Sequence, residues 1–546
     1  MKVLITSALP YVNNIPHLGN LIGSVLSADA FARYQRLRGN EVLFVLGTDE
    51  YGTTTEVKAR EEGLTPRELV DKYFVIHKRI YDWFNTSYDC LGRSTSEANK
   101  KIVQDIFSKI YKNGYFIEGE VEQLYSEKSN MFLSDRFVEG ECPICHKAGA
   151  RGDQCDACGN LLDQKDLINP ISKFDGTVPI LKKTKHLYIN LPKLEKELTN
   201  WISSVDSNWS FLAKNITSQW LKQGLKERAI TRDLKWGIPV PLEGYENKVF
   251  YSWFDAPIAY IGITAECIGE KYKDWWLNKD VTLYQFMGKD NVPFHSIMFP
   301  SYLIATKEPY VLVNGLDSTA YINYENDKFS KSKEKGVFGN DAIETGISSD
   351  TWRYYLYRVR PEDDDTEFLW GDFEAKVNNE LVNNFGNFIN RVVSLNQKFF
   401  NGIKQKSNGE LIEKVKPLLD DYFKLMDKSR ERDALLKANE ISSIGNKYLQ
   451  DTAPWTLAKT DLIGAGTIIA NCIDLFKLLS LVYSPFIPDA SKKISESISF
   501  NLSDGFLNVF DGIKTGTEIK PIGILFQKLE HKQVEEFKQK FSGIKK

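Results

Sequence analysis

The sequence predicts an α/β protein: a parallel sheet split by a cysteine-bearing insertion and followed by an all-helical region. Three observations predict this. Residues 2–8 (KVLITSA) and 41–47 (EVLFVLG) are short apolar runs separated by one helical pattern, the spacing of a βαβ unit. From about residue 116 to about 185 the texture changes to short β-like pieces with Gly, Pro and two Cys pairs. After about 366 no good strand run appears, and apolar residues such as Leu381, Phe385, Phe388, Val392 and Leu395 recur at helical spacing.

The elements follow in order. After the first strand comes a loop, LPYVNNIP, then a helix from near Pro16 to about Arg38 with Leu21, Ile22, Val25 and Leu26 on one side. Gly39-Asn40 ends it, and Thr48-Asp49 caps the second strand. Residues 55–115 read as helical. Strand signals return at 248–253 (KVFYSW), 281–287 (VTLYQFM) and 310–314 (YVLVN). The expected division is 1–115 for the first half of the α/β domain and 116–230 for the insertion, with its cysteine module at 138–163. The second half is 231–315, a junction 316–365, and the helical domain 366–546.

Composition agrees with a multidomain globular chain. It has 546 residues, 42% hydrophobic and 26% charged, which excludes a disordered chain, a collagen-like chain and a small disulfide scaffold. Lys+Arg total 70 against Asp+Glu 73, a net charge of −3, so a wholly basic nucleic-acid coat protein is excluded. A nucleic-acid partner then requires basic residues gathered on one face. The N-terminal apolar run is too short for a signal segment, and no stretch of about 18 uninterrupted apolar residues appears. No membrane span is expected, and the compartment is expected to be cytoplasmic.

Of seven Cys, four form Cys142-x2-Cys145 and Cys155-x2-Cys158 across a nine-residue spacer. Two turns that each present two thiolates make a closed tetrahedral site, so one structural Zn²⁺ is expected. Gly159 suits the tight knuckle, and His146 reads as a bystander. Cys90, Cys267 and Cys472 are scattered and read as buried small hydrophobes, not a disulfide framework.

Two further motifs carry chemistry. His17-Leu18-Gly19-Asn20 opens the first helix just after the first strand, where free backbone N–H groups and the positive helix end suit phosphate. Gly19 leaves room for close approach, and His17 and Asn20 share a face. On its own this is equally a surface helix start. Lys328-Phe329-Ser330-Lys331-Ser332 lies in a polar stretch downstream, where two ammonium groups suit a departing pyrophosphate. On its own this is more simply a solvated loop. No GxxxxGK[ST] sequence exists; the one Gly-Lys pair, Gly288-Lys289, is followed by Asp290, which disfavours an ordinary P-loop enzyme.

Together, HLGN after the first strand and KFSKS after the last resemble the two signatures of class I aminoacyl-tRNA synthetases. Within that class the chain resembles the methionyl-tRNA synthetases of archaeal and eukaryotic type. The resemblance rests on Ala8-Leu9-Pro10-Tyr11, HLGN, Gly47-Thr48-Asp49-Glu50-Tyr51-Gly52, Trp253-Phe254-Asp255-Ala256-Pro257-Ile258-x-Tyr260, Gly288 through His295 (GKDNVPFH) and Ala453-Pro454-Trp455. It runs from residue 3 to about 485.

The resemblance implies a Rossmann-like catalytic domain, a zinc-knuckle connective insertion and an all-α anticodon-binding bundle. It implies formation of methionyl-adenylate from L-methionine and ATP with Mg²⁺, then transfer to tRNA(Met) in initiation and elongation. Asp49 is implied to hold the α-ammonium. Ala8, Leu9, Tyr11, Trp253, Ala256, Pro257, Tyr260 and His295 are implied to enclose the thioether, for which aromatic faces are good sulfur partners. Such a pocket separates one methylene by only about 1–3 kcal/mol, so homocysteine activation is expected, and the family removes it by cyclisation in the same site. His17, Gly19, Asn20, Gly288, Asp290 and Lys331 are implied to contact ATP, with His17, Asn20, Lys328 and Lys331 as the catalytic set. Asn20 replaces the second His of the general signature and is assigned no acid–base role. Phe299 stands where many bacterial relatives carry Trp.

In the helical domain, Asn387 and Arg391 lie i, i+4 on the flank of the apolar stripe, roughly 80–120° from its centre. With Trp455 they are implied to read the CAU anticodon, Trp455 by stacking and Arg391 by its donor fork. Lys428, Arg430 and Arg432 read either as phosphate-tracking or as a solvated helix face. No appended OB-fold-like domain is seen before Lys546, so a monomer is expected, with room for a separate tRNA-binding protein. Two rivals are weighed. A leucine or valine synthetase carries a larger editing insertion than these roughly 115 residues. A zinc-knuckle RNA-binding protein with a degenerate catalytic domain has no use for an intact HLGN, Asp49 and KFSKS.

Overall fold

The structure is a computed structural model that describes residues 1–543 apart from 135, 136, 153, 154, 156, 159, 161 and 332. Gly159 and Ser332, singled out above, therefore lie outside the described residues.

The core is a five-stranded parallel sheet made of β1 (Lys2–Ser7), β2 (Glu41–Thr48), β3 (Cys90–Arg93), β6 (Val281–Gly288) and β7 (Val313–Thr319), in the order β7-β6-β1-β2-β3. The chain leaves β1 towards β2 and returns later to β6 on its other side. That reversal opens a crevice at the carboxyl ends of β1 and β6, where sheets of this kind bind ligands. Five of the six β1 residues are buried because helices cover both faces. The first helical run is Leu18–Asn20, a π-helical stretch Leu21–Leu26, then α1 (Ser27–Leu37). Helices α2 (Pro66–Trp83) and α3 (Glu97–Lys112) follow.

Three sequence expectations shift. The 55–115 stretch contains β3, whose short CLGR run becomes a strand by pairing Cys90 with Val45 of β2. Asp89 fixes it by accepting from the Phe44 N–H at 2.7 Å. Of KVFYSW only Val249–Phe250 is strand; α4 (Ser252–Ile268) starts at once, so Trp253 sits on a helix. The strand sought at 310–314 is β7, displaced to Val313–Thr319. Pro257 interrupts α4, and the Trp253 carbonyl it cannot bond is taken by the Tyr302 hydroxyl at 3.2 Å.

The insertion pairs β4 (Phe116–Ser126) antiparallel with β5 (Ile180–Ile189), and a separate three-stranded sheet carries the cysteine module. In the junction β8 (Ile322–Tyr324) pairs parallel with β9 (Thr366–Phe368). The helical domain includes α5 (Asn387–Phe399), α6 (Glu410–Asp427), α7 (Glu431–Thr452), α8 (Leu462–Tyr483) and α9 (His531–Lys540). Helix α8 is long and apolar enough to cross a membrane. It is instead the central core helix, packed against α6, α7 and α5. Its polar groups are matched within the bundle: Asn471 donates to the Tyr448 hydroxyl at 2.9 Å, and Asp474 accepts from the Ile513 N–H at 2.7 Å.

Buried ion pairs join the helical domain to the sheet. Arg360 is wholly buried and meets Asp317 of β7, Glu431 of α7 at 2.7 Å and Glu362 at 3.1 Å. Arg353 meets Asp29 of α1 at 2.7 Å. Arg430 pairs with Asp363 at 2.7 Å and with Asp433, and Arg432 pairs with Asp433. Arg430 and Arg432 are thus partly taken up by contacts across the domain junction, Arg430 with Asp363 and Arg432 with the Arg360 carbonyl at 3.4 Å.

The expectation for the scattered cysteines is corrected for two of the three. Cys90 of β3 and Cys267 of α4 form a disulfide, with Cα atoms 5.9 Å apart. Cys472 is a buried free thiol.

Candidate active site

At the carboxyl ends of β1 and β2 the chain holds itself open by backbone bonds. The Asp49 N–H donates to the Pro10 carbonyl at 2.9 Å, and the Val12 N–H donates to the Asp49 carbonyl at 3.2 Å. This fixes Asp49 beside Ala8, Leu9 and Tyr11. Opposite, α4 presents Trp253, Ala256, Pro257 and Tyr260, and the turn after β6 presents His295. All nine residues assigned to the amino-acid site line one cavity, together with Ser252, Asn291 and Phe294. Trp253 and Phe294 meet edge to face with centroids 4.5 Å apart, forming an aromatic lip.

The electrostatics of this cavity are unusual. Asp49 is buried, its Oδ1 has no hydrogen-bond partner among the described residues, and burial together with Asp255 and Glu50 raises its pKa well above the carboxylate range. Asp255 is wholly buried, neither oxygen bonds another side chain among the described residues, and burial pushes its pKa up to about 8. Two buried carboxyls without a cation make a site that gains from an incoming ammonium. On the opposite wall, the Tyr260 hydroxyl and His295 Nε2 are 2.8 Å apart, and His295 Nδ1 is 2.8 Å from the Asn291 carbonyl. A carbonyl only accepts, so Nδ1 carries the proton and Nε2 accepts from Tyr260. Burial holds this histidine neutral, its pKa pushed down to about 4. The pair satisfies itself and leaves an apolar wall.

Next to this cavity lies the helix start. His17 is the N-cap: its Nδ1 accepts from the Gly19 N–H at 3.1 Å and the Asn20 N–H at 3.3 Å. Asn20 Oδ1 accepts in return from the His17 N–H at 3.1 Å. The ring proton therefore sits on Nε2, and burial pushes the pKa down to about 4. Each residue keeps one outward donor, His17 Nε2–H and Asn20 Nδ2–H₂. Gly19 serves packing: a Cβ there would lie 2.7 Å from Ile322 of β8.

The KFSKS loop folds back on this helix start. Phe329 stacks on His17 with centroids 4.5 Å apart and an interplanar angle of 7°. Lys331 Nζ lies 4.7 Å above the Phe338 ring, and Lys328 and Lys331 are both exposed. Ser330 and Lys335 exchange two backbone bonds of 2.9 Å, which closes the loop as a hairpin. Gly288 ends β6 with open space on its Cα, while Lys289 pairs with Asp365 at 2.8 Å and Asp290 accepts from the Tyr321 hydroxyl.

Some lining residues escaped sequence reasoning. Ser252, Asn291 and Phe294 adjoin residues already named and carry no separate signal. Asp255, wholly buried on the same helix and not itself a lining residue, does carry one: it is a carboxylate within an otherwise apolar stretch of α4. A second cavity of about 360 Å³ abuts the first, sharing Tyr11, Ser252 and Trp253, and Arg232 lines it with its guanidinium 3.7 Å above the Tyr251 ring.

Two remote groups were also anticipated. The Sγ atoms of Cys142, Cys145, Cys155 and Cys158 lie within 4.8 Å of one another, with Cys142–Cys158 at 3.8 Å and Cys145–Cys155 at 3.6 Å. Tetrahedral Zn–S bonds of about 2.3 Å require sulfurs about 3.8 Å apart, so the cluster fits zinc. His146 instead meets Glu141 at 3.0 Å. In the helical domain the left-handed Ala453 (φ 39°) ends α7 and turns Trp455 back towards α5. Arg391 lies 5.3 Å over the Trp455 ring and donates to Gln450 at 3.2 Å, while Asn387 is exposed on the same helix.

A parallel sheet carrying HLGN and KFSKS at its carboxyl edge, joined to a helical domain, defines a class I aminoacyl-tRNA synthetase. Residues 3–393 match the family model for class I tRNA synthetases (M), and residues 401–546 match that for the anticodon-binding domain of methionyl tRNA ligase. A methionine–tRNA ligase of Borreliella burgdorferi (strain ZS7) is 49% identical, over 99% of this chain and 74% of its own. A probable cytoplasmic methionine–tRNA ligase of Dictyostelium discoideum is also 49% identical, over 100% of this chain and 75% of its own. The Mycobacterium tuberculosis methionyl-tRNA synthetase in complex with methionyl-adenylate shares the fold, with a TM-score of 0.79 at 20% identity over 96% of this chain and 99% of that one. The chain belongs to the methionine–tRNA ligase family. Its reaction activates methionine with ATP and esterifies it to tRNA.

Proposed function

We propose that the cavity between α4 and the ends of β1 and β2 holds methionine, with Asp49 on the α-ammonium. The observation that carries this is the gathering of the eight other assigned residues around the buried Asp49 carboxyl, whose Oδ1 is unbonded among the described residues. Trp253 and the self-satisfied Tyr260–His295 pair then offer the side chain a polarisable surface. A glutamine or lysine chain would lose its hydrogen bonds there, whereas a thioether loses little.

The ATP phosphates, bound with Mg²⁺, lie over the helix start in this proposal. The methionine carboxylate attacks the α-phosphorus and pyrophosphate leaves. His17 Nε2–H and Asn20 Nδ2–H₂ donate to phosphate oxygens, and Lys328 and Lys331 neutralise the leaving charge. With a pKa near 4, His17 is a neutral donor and not an acid at neutral pH. The protein does no covalent work; positioning and charge stabilisation supply the rate.

The four-cysteine module is proposed to hold one Zn²⁺ and to brace the insertion. Asn387, Arg391 and Trp455 are proposed to read the anticodon of tRNA(Met), with the Arg391–Trp455 pair offering a ready stacking surface. The compartment is proposed to be cytoplasmic, as the name of the Dictyostelium relative suggests. Amino-acid-dependent exchange of pyrophosphate into ATP, run across all twenty amino acids, tests the assignment. Exchange should be strongest with methionine; none with methionine, or more with leucine, overturns it.

A further inference from the structure

The disulfide between Cys90 and Cys267 has no part in the reaction, yet it lies behind the proposed methionine pocket. Cys90 begins β3 and is 1% exposed; Cys267 is at the exposed end of α4. Helix α4 rests directly on the sheet at Ile263, one turn before Cys267. A Cβ on Gly47 would lie 2.3 Å from Ile263, and one on Gly92 would lie 2.7 Å from it. One turn further back the same helix carries Tyr260 of the pocket. From Cys90, β3 leads in three residues to Arg93, which pairs with Glu50 at 2.7 Å, next to Asp49. The sulfur bridge thus ties the helix that forms one wall of the pocket to the strand that braces the other.

We propose that Cys90 and Cys267 form a reversible thiol–disulfide site, oxidised by glutathione disulfide, whose state sets the affinity for methionine. The second half rests on the pocket assignment above. Cys267 is the accessible sulfur, beside an open cavity of about 360 Å³ bordered by Phe74, Lys78 and Glu266. Its thiolate attacks one sulfur of glutathione disulfide, forms a mixed disulfide and expels one glutathione thiolate. Cys90 then loses its thiol proton to solvent, attacks the Cys267 sulfur and expels the second. Both leaving thiolates take up a proton, so two protein thiols are oxidised and one glutathione disulfide becomes two glutathiones. The other thiols are set apart, four in the knuckle and Cys472 buried in the bundle. Bridged, α4 is held in place and the pocket is preorganised; reduced, only packing holds its end.

The test uses the full chain with bound metal, equilibrated in mixtures of oxidised and reduced glutathione. Differential alkylation with mass spectrometry measures the linked fraction, and pyrophosphate exchange measures the methionine KM in the same mixtures. The KM should rise about threefold or more on going from linked to reduced, tracking the linked fraction, and reverse on reoxidation. Cys267→Ser should hold one high KM throughout, and zinc content should stay constant. Cysteines that stay unlinked at high glutathione disulfide, a flat KM despite linkage, or a Cys267→Ser variant that follows the wild-type curve each overturn the proposal. If linkage is reversible but no redox state supports methionine exchange, the pocket assignment fails and the affinity claim falls with it. If exchange is strong and the KM flat, only this proposal falls.

Discussion

His17 does two separable things, and substituting it by Asn pulls them apart. Its Nδ1 caps the first helix by accepting from the Gly19 and Asn20 N–H groups, while its Nε2–H points outward and its ring stacks on Phe329. Asn is as good an N-cap, so His17→Asn keeps the cap, loses the stack and replaces the ring Nε2–H by a shorter amide donor displaced from its position, whereas His17→Ala loses all three. A lost cap costs about 1 kcal/mol and a lost aromatic stack about 0.5–1.5 kcal/mol, so the Ala variant should melt below the Asn variant by the cap alone. A donor aimed at transferring charge is worth about 10²–10³ in kcat. Both variants should therefore lose about a hundredfold or more in kcat for pyrophosphate exchange, with methionine KM within about twofold of wild type. Thermal midpoints and exchange kinetics on the two variants decide it. If His17→Asn keeps kcat within about threefold of wild type while His17→Ala loses it, the ring Nε2–H is dispensable and its catalytic assignment is wrong.

Asp49→Asn should raise the methionine KM about a hundredfold or more and leave the ATP KM near wild type, because removing one partner of a buried ion pair costs about 3–5 kcal/mol; an equal rise for ATP would count against the ammonium contact. Trp455→Ala should raise the KM for tRNA in aminoacylation by about tenfold, since stacking on an aromatic face is worth about 1–3 kcal/mol per base, with exchange untouched; a loss of exchange would mean that Trp455 supports the fold. Metal analysis should give one zinc per chain, and two equivalents or none would refute the four-thiolate site. His17, His77 and His295 all have pKa values pushed down to about 4 by burial, below the unfolded value of 6.5. Between those values the unfolded chain binds more protons, so stability is present above pH 6.5 and is lost as pH falls towards 4; urea midpoints that stay level from pH 7 to 4.5 would contradict this.

Much of the site was legible because strand ends are legible. Ala8, Leu9 and Asp49 follow apolar runs directly, and a parallel sheet puts the ends of such runs on one edge. What brings Tyr260 and His295 to the same edge is the return of the chain to β6 beside β1, and the family resemblance anticipated it where periodicity could not. β3 was not legible: CLGR is a strand only because β2 lies beside it. Trp253 was misplaced on a strand because KVFYSW has high β-propensity; it belongs instead to α4, where its carbonyl, left unbonded by Pro257, accepts from Tyr302 far downstream. The disulfide was wholly illegible, since Cys90 and Cys267 are 177 residues apart and neither has a neighbour that marks it.

The charge balance shows best how structure changes the meaning of a count. A net charge of −3 looks poorly suited to an RNA partner only if every charge faces solvent. Arg353 and Arg360 do not: they are fully buried and answered by Asp29, Asp317, Glu362 and Glu431. That cluster sets two arginines against four carboxyls, so it withdraws more acidic than basic groups from the surface. The cations left for tRNA are those on the surface, such as Arg391 beside Trp455 and the exposed Lys328 and Lys331 at the sheet edge. A screened surface potential acts over about 8–10 Å at physiological salt, so where these few cations stand matters more than the sum over the chain. Neutralising Lys or Arg on the anticodon face should thus slow tRNA association, while an equal change of net charge made on the far side of the sheet should not.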